Sequence, residues 1–539
     1  MKALTDLKNH WRWPADGWKA DLTSGFILSL IALPLSLGIA SASIGDGSLS
    51  PAVSGLIAAV VGGLIVSRLS GTNVAIHGPA AGLIVIVQHG IDSLGQGDLK
   101  AGFQRFLAAM IVAGGLQILT GALKFARYAA LFPVNVIHGM LAAIGVIIIS
   151  KQIHIAFGVT PHAKSPLALY AEVPKSIANM NPEIAVIGFA ALSVMVFFYV
   201  VKWQVLKKIP APLVAVIVAA ILGIVFDLQH MHHYFFMGKD YTLGENYLVT
   251  LPASVFSALP RPDFSMIFSP TSLITIFSIF FVASLESLLS ASAADKLDTQ
   301  KRSSNLNKEI MANGVGNMLL GAIGGLPIIA EIVRSSANIS NGARTQWSNF
   351  FHGAFLALFL FLLPGVIHLI PDAALAGILI IVGFRLARPS EFKHAFDAGV
   401  EQLVIFLTTL FVTLAVDLLI GIAAGLVVKM LVLLVRGVKP GEFFKLAADV
   451  TEQGNAVYIR PRGSIIFTNL FSLTDKLQKY AAENTVTMDF SAVRYIDHTS
   501  MAALADLKHA QTSAGKTLEL ENIDLLKPYS AHPAAARRA

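Results

Sequence analysis

The chain has 539 residues, of which 55% are hydrophobic and only 14% charged, and its mean hydropathy is +0.67. That composition excludes a water-soluble globular protein and indicates a polytopic α-helical membrane protein. There is no cysteine, which excludes disulfides and thiolate metal sites, and the net charge of +7 sits in loops, where it reports topology rather than nucleic-acid binding.

Taken in order, the chain opens with a charged and aromatic segment, 1–21, that lacks the form of a cleavable signal peptide and runs into a full-length apolar span. About fourteen spans follow. Seven fall near 22–43, 51–68, 77–90, 103–123, 129–150, 182–201 and 211–227. Seven more fall near 271–293, 307–323, 331–342, 347–365, 373–387, 401–418 and 419–436. The third and tenth are too short to cross a bilayer alone. The transmembrane domain therefore covers 22–437, as repeats 22–228 and 270–437. Seven spans per repeat is an odd number, so the second repeat is inverted relative to the first.

Loop charge agrees with this count. Loops after even-numbered spans carry Arg68, then Lys124 and Arg127, then Lys202, Lys207 and Lys208, then Lys296, Lys301, Arg302 and Lys308, then Arg385, Arg388 and Lys393. The short loops Gly45–Ser50 and Pro364–Asp372 hold no lysine or arginine. Both termini are thus expected in the cytoplasm, with the protein in an inner (plasma) membrane.

The two short spans open on helix-breaking sequence. The third reads His77-Gly78-Pro79-Ala80-Ala81, and the tenth follows Gly324-Gly325-Leu326-Pro327 with Glu331, Ile332, Val333, Arg334 and Ser335. A helix that begins inside a membrane presents free N–H groups and a positive dipole end, which bind anions. Interrupted segments at matching places in two repeats mark a transporter's binding site. The expectation is that the two helix starts face one another near the midplane and hold an anion.

Beyond Arg436 the composition changes. Residues 438–455 read as a linker, 456–529 as strands alternating with helices, which implies a small and mostly parallel sheet, and 530–539 as a disordered Ala/Pro/Arg tail.

These residues carry a family resemblance over nearly the whole chain. Ala32-Leu-Pro-Leu-Ser36, Gly78-Pro79, Leu285-Glu-Ser-Leu-Leu-Ser290, Asp295-Lys-Leu-Asp298, Gly314-Val-Gly-Asn317, Gly324-Gly-Leu-Pro327, Arg334 to Asn338 and Gly342-Ala-Arg-Thr345 together resemble the bacterial sulfate permease (SulP) family of anion transporters. The C-terminal unit resembles that family's STAS domain, with Asp497-His-Thr-Ser500 at its signature turn. The resemblance implies UraA-like core and gate domains that move as an elevator, a homodimer, and cargo among sulfate, bicarbonate, chloride and dicarboxylates. Two positions depart from relatives: Val333 stands where animal members have serine, and Thr499 where related anti-sigma antagonists carry a phosphorylated serine.

Each candidate has a functional and a plain structural reading. Gly78, Ala80, Ala81, Ile332, Val333, Arg334 and Ser335 are assigned to the anion; the small residues among them also suit helix packing. Arg334 adds positive field there, or forms a salt bridge with Glu331 three residues before it. Glu286, with Ser290 one turn on and Glu331, is assigned to the coupling ion, because a buried carboxylate with no basic residue within a turn takes a proton or a cation. His77 either carries a proton or is a core histidine. His230, His232 and His233 cluster in a loop without an evident fourth metal ligand. No ATP-binding motif is present, so transport is secondary, with H⁺ or Na⁺ as coupling ion and no cofactor. The alternatives are an anion channel or STAS-linked sensor, which the acid Glu286 disfavours, and a dicarboxylate or a nucleobase transporter; the last lacks a STAS domain.

Overall fold

The structure, a computed structural model, describes residues 17–45, 49–126, 132–163, 165–201, 203, 209–252, 259–453, 456–480, 485–513 and 516–539. The N-terminal segment before residue 17, and Arg127, Lys202, Lys207 and Lys208 of the charged loops, lie outside these residues. The chain divides into two compact units, 1–127 with 144–386, and 128–143 with 387–539.

The first unit is helical. In order it holds α1 (Trp18–Ile44), α2 (Pro51–Leu69), β1 (Ile76–Pro79), α3 (Ile84–Gly95) and α4 (Leu99–Ala122). Then come most of α5 (Val134–Ala156), α6 (Pro166–Ala178), α7 (Pro182–Val200), α8 (Ala211–Val225) and a hairpin of β2 (His232–Phe236) and β3 (Lys239–Leu243). It closes with α9 (Pro270–Leu297), α10 (Leu306–Ile323), β4 (Ile328–Glu331), α11 (Ile332–Ser340), α12 (Trp347–Leu362), α13 (Pro364–His368) and α14 (Asp372–Leu386). Helix starts are encoded locally. Proline occupies the first turn of α2, α7 and α9, where its missing N–H is no loss. Asp98 caps α4 at Lys100 N, 2.9 Å, and Asn305 caps α10 at Lys308 N, 3.1 Å.

Eight helices among the described residues are long and apolar enough to cross a membrane, and Ala81–Gly95, Ala211–Val225, Trp347–Leu362 and Val400–Ala415 are shorter apolar helices. Close glycine crossings pack the helices against one another. A Cβ on Gly114 of α4 would sit 2.7 Å from the Gly314 carbonyl of α10, and one on Gly63 of α2 would sit 2.5 Å from Gly353 Cα of α12. Spans two and nine hold equivalent places in the expected repeats, as do four and eleven, and both crossings are glycine against glycine. Only glycine lets the backbones approach so closely.

The interrupted segments differ from expectation in one respect. The third helix does not start at residue 77. Residues 76–79 are a strand, followed by a 3-10 turn at Ala81–Leu83 and then α3. The reason is pairing at long range: β1 runs antiparallel to β4, with Ile76 opposite Glu331, His77 opposite Ala330, Gly78 opposite Ile329 and Pro79 opposite Ile328. Pro79 lacks an N–H, which a two-stranded ladder tolerates at its end.

The second unit holds α15 (Pro389–Ala398), α16 (Val400–Ala415), α17 (Leu418–Val435) and an α/β domain. Its strands are β5 (Ala447–Gln453), β6 (Ala456–Ile465), β7 (Thr485–Asp489), β8 (Val493–Ile496), β9 (Thr517–Glu521), β10 (Lys527–Pro528) and β11 (Arg537–Arg538), with helices α18 (Leu470–Lys479) and α19 (His498–Ser513). β6 pairs in parallel with β7 and β8, and β7 with β9, as the alternating pattern requires. Ile459, Ile465, Met488, Phe490, Ile496 and Leu504 form its buried core.

Two boundary expectations are corrected here. The linker 438–455 contains strand β5, paired antiparallel with β6 from Ala447 opposite Arg462. The tail 530–539 is ordered where it pairs: Arg537 and Arg538 lie opposite Ile496 and Tyr495 of β8, and Ala535 and Ala536 are buried. Its alanines supply apolar surface and its backbone finds an open sheet edge; composition registers neither.

Candidate functional site

The β1–β4 ladder brings the two interrupted segments together and sends a helix away from each. After β1 the chain turns at Ala80 into Ala81–Leu83; after β4 it enters α11 at Ile332. Helix geometry leaves the N–H groups of Ile332, Val333 and Arg334 without intrahelical acceptors. The Glu331 side chain does not cap them, nor does any side chain cap the start at Ala80. Gly78, Ala80 and Ala81 are buried, and Val333 is 45% exposed.

Arg334 is fully buried and joins the two segments. Its Nε lies 2.6 Å from Glu331 Oε2, and its Nη2 donates to the Pro79 carbonyl at 3.3 Å. Nη1 fits the space a side chain at Gly78 would take: a Cβ there would lie 2.5 Å from it. Glycine at 78 is therefore a condition for the arginine's position. The plain structural reading of Arg334 and Glu331 as an ion pair is what the geometry shows, and the pair lies within the first turn of α11.

Ser335 is oriented by the fold. Its hydroxyl donates to Glu331 O at 2.6 Å and accepts from Ile76 N–H at 3.0 Å. As the fourth residue of α11 its N–H also bonds within the helix, to the Glu331 carbonyl, so neither its hydroxyl nor its backbone donor is free.

Glu286 sits on α9, is buried, and its Oε2 has no hydrogen-bond partner among the described residues. Its carboxyl rests on the 3-10 turn: a Cβ on Gly82 would meet Glu286 Oε1 at 1.8 Å. Ser290 is buried one turn further along the helix. Glu286, Glu331 and the two helix starts are thus gathered from three segments of the first unit, α9, the turn after β1 and the β4–α11 junction, with Glu286 and Glu331 within electrostatic reach of one another.

Sequence reasoning missed Gly82 and Glu309. Glu309, at the start of α10, is fully buried and lies 2.7 Å from His77 Nε2. The signal for it was present: Glu309, Asn313 and Asn317 recur every four residues, a polar stripe on an otherwise apolar helix. Asn317 holds β4 directly, accepting from Ile328 N–H at 2.8 Å. His77 belongs to this network, with its Nδ1 2.9 Å from the Asn349 amide. His230 pairs with Asp227 at 2.7 Å on the surface, and among the described residues no group of three or more His, Cys, Asp or Glu is arranged to hold a metal ion. Thr499 and Ser500 are buried at the start of α19.

Comparison with known proteins agrees with this architecture. The Sulfate permease family profile matches residues 18–409 and the STAS domain profile matches 447–524. YvdB of Bacillus subtilis is 27% identical over 511 residues, covering 91% of this chain and 88% of that protein. The bicarbonate transporter BicA of Picosynechococcus is 25% identical, covering 76% of this chain and 69% of its own. Among solved structures, the transmembrane domain of a cyanobacterial BicA superposes with a TM-score of 0.62 at 24% identity, covering 76% of this chain and 98% of that one. The murine Solute Carrier 26 family member A9 anion transporter, in its inward-facing state, gives 0.65 at 15% identity, covering 95% of this chain and 86% of that one. The chain belongs to the sulfate permease family of membrane transporters and carries a C-terminal STAS domain.

Proposed function

We propose that the protein is a secondary active transporter of an inorganic anion of the bicarbonate or sulfate class. The anion sits at the facing starts of α3 and α11, held by backbone N–H groups around Ala80, Ala81, Ile332 and Val333 and by the field of Arg334. One observation carries this reading: the β1–β4 ladder, which pairs Ile76–Pro79 with Ile328–Glu331 so that two helix starts without side-chain caps leave its two ends, bridged by Arg334 from the start of α11 to the Pro79 carbonyl. Backbone at membrane depth is tolerated only where it is buried in protein or lines a cavity, and a ladder four residues long is a costly device without a ligand to serve.

Glu286 couples the anion to H⁺ or Na⁺. Its carboxyl touches the Gly82 turn, so a proton or cation there changes the charge beside the anion. The fourteen expected spans cross the membrane with both termini in the cytoplasm, and the first unit's interrupted segments move as one body in an elevator cycle, in a homodimer.

The test is uptake of labelled sulfate and labelled bicarbonate into proteoliposomes, with and without imposed H⁺ and Na⁺ gradients. Uphill accumulation of one anion that follows one gradient is the expected result. Flux that only dissipates the anion's own gradient makes the protein a channel.

A further inference from the structure

We propose that Glu309 is a positioning residue for the anion site, a single carboxylate that fastens both interrupted segments at an inner rung of the ladder between the two helix starts. The inference rests on the anion lying at the two helix starts, as proposed above.

The geometry is specific. His77 of β1 and Ala330 of β4 face each other across the ladder, and Glu309 holds both. It holds His77 directly, Nε2 to Oε1, at 2.7 Å. It holds Ala330 through Ser287, the neighbour of Glu286 on α9. Ser287 Oγ accepts from Ala330 N–H at 3.1 Å and from Asn313 Nδ2 at 2.7 Å, which leaves its own proton for Glu309 Oε1 at 3.4 Å. Asn313 also donates to Oε1 at 2.7 Å, and Ser70, in the approach to β1, donates to Oε2 at 2.5 Å. Every group around the carboxylate is thus a donor, which only an acceptor on both oxygens satisfies. Both carboxylate oxygens are thus satisfied, while Asn313 Oδ1 and Asn349 Oδ1 have no partner among the described residues, and a buried network in which a donor replaces an acceptor loosens. Glu309 and His77 are both fully buried, so water does not replace a lost partner.

A positioning role and a simple charge effect have opposite signs. Asp295 lies within electrostatic reach of Glu309, and the Arg334–Glu331 ion pair lies at the start of α11. If Glu309 acted through its field alone, Glu309→Gln would remove a negative charge and tighten anion binding. If it positions the ladder, the amide NH₂ of glutamine faces donors, the rung relaxes and binding weakens.

The experiment measures KM for labelled sulfate and labelled bicarbonate in proteoliposomes of the full chain, with thermal melts of the same preparations. For Glu309→Gln the expected result is a melting temperature near wild type and a KM raised by about tenfold, the scale of one lost hydrogen bond to a charged group. Ser287→Ala, which cuts only the link to β4, raises KM in the same direction by a smaller factor, and it decides the matter if Glu309→Gln does not fold. A KM unchanged or lowered in the variant that folds overturns the positioning role. A wild-type protein that takes up neither anion overturns the site reading itself, a separate failure.

Discussion

Arg334 reaches back over the break in the chain to the Pro79 carbonyl, 3.3 Å from Nη2, while its Nε stays 2.6 Å from Glu331. One guanidinium therefore ties the end of β1 to the start of α11. Removing it leaves Glu331 without its partner, and breaking a buried pair on one side costs about 3–5 kcal/mol. Arg334→Ala is expected to lower the melting temperature and to raise KM for the transported anion. Arg334→Lys restores the charge but not the planar fork that spans both partners, so it recovers only part of the affinity. Transport kinetics of the two variants decide: an alanine variant with wild-type KM makes the arginine irrelevant to cargo, and a lysine variant equal to wild type makes its geometry irrelevant.

Glu286 and Gly82 form a second test pair. Glu286→Gln keeps the shape of the side chain and removes its capacity to hold a proton or cation. It is expected to abolish gradient-driven accumulation while leaving the fold intact. Gly82→Ala leaves the carboxyl chemically unchanged but displaces it, because the new methyl group would meet Oε1 at 1.8 Å. A misplacement of this size at a reacting group costs rate steeply, about tenfold or more. Uphill uptake that survives either substitution at the wild-type level removes Glu286 from the coupling step.

Much of this was legible in the sequence, for identifiable reasons. Spans, repeats and loop charge are local quantities, and Gly78-Pro79 and Gly324 to Pro327 mark the interruptions because helix breaking is local too. The β1–β4 ladder was not legible, since it joins residues about 250 positions apart and neither four-residue strand has a period to detect. Glu309 was hidden for a related reason: its partners Ser70, His77 and Ser287 come from three other segments. The Arg537–Arg538 strand was hidden by composition, because an Ala/Pro/Arg tail resembles a linker until an open edge is available to it.

The second unit contains a buried ion pair with its own consequence. Lys429 of α17 is fully buried, and its Nζ lies 3.0 Å from Asp497 Oδ2 at the signature turn of the STAS domain. Asp497 also accepts from Ser500 N–H at 2.9 Å and Phe467 N–H at 3.3 Å, so it caps α19 and holds the end of β6. Asp497→Ala therefore strands a buried lysine and uncaps a helix, with an expected loss of about 3–5 kcal/mol. Lys429→Met, which removes the charge and keeps the stem's volume, is expected to restore part of the stability in the double variant. Thermal melts of the full chain measure both; an Asp497→Ala protein as stable as wild type, or a double variant no more stable than the single, contradicts the pairing.

The last expectation concerns pH. His532, in the C-terminal tail, lies between His394 of α15 and His498 of α19 in edge-on ring contacts, at centroid distances of 5.0 and 5.5 Å. Burial holds His498 below the ordinary histidine value. Its Nδ1–H donated to the Ala534 carbonyl and the nearby Asp497 oppose that shift, while Lys429 and His532 add to it. Burial lowers His532 as well, reinforced by His394 and opposed by Asp397. Both folded-state values therefore lie below the unfolded value of about 6.5. Between them the unfolded chain binds more protons, so stability falls as pH drops from about 6.5 through the folded values. Protonated, the row also places like charges side by side, and the tail strand Arg537–Arg538, paired through two residues to β8 and two to the short β10, is expected to release first. Hydrogen exchange of the full chain at about pH 7.5 and about pH 5.5 reads this directly, once intrinsic exchange rates are corrected for pH. Residues 530–539 lose protection at the lower pH while β6 and β7 keep theirs, and His532→Gln flattens the difference. A tail equally protected at both values in the wild-type protein rules the histidine row out as the cause of any acid sensitivity.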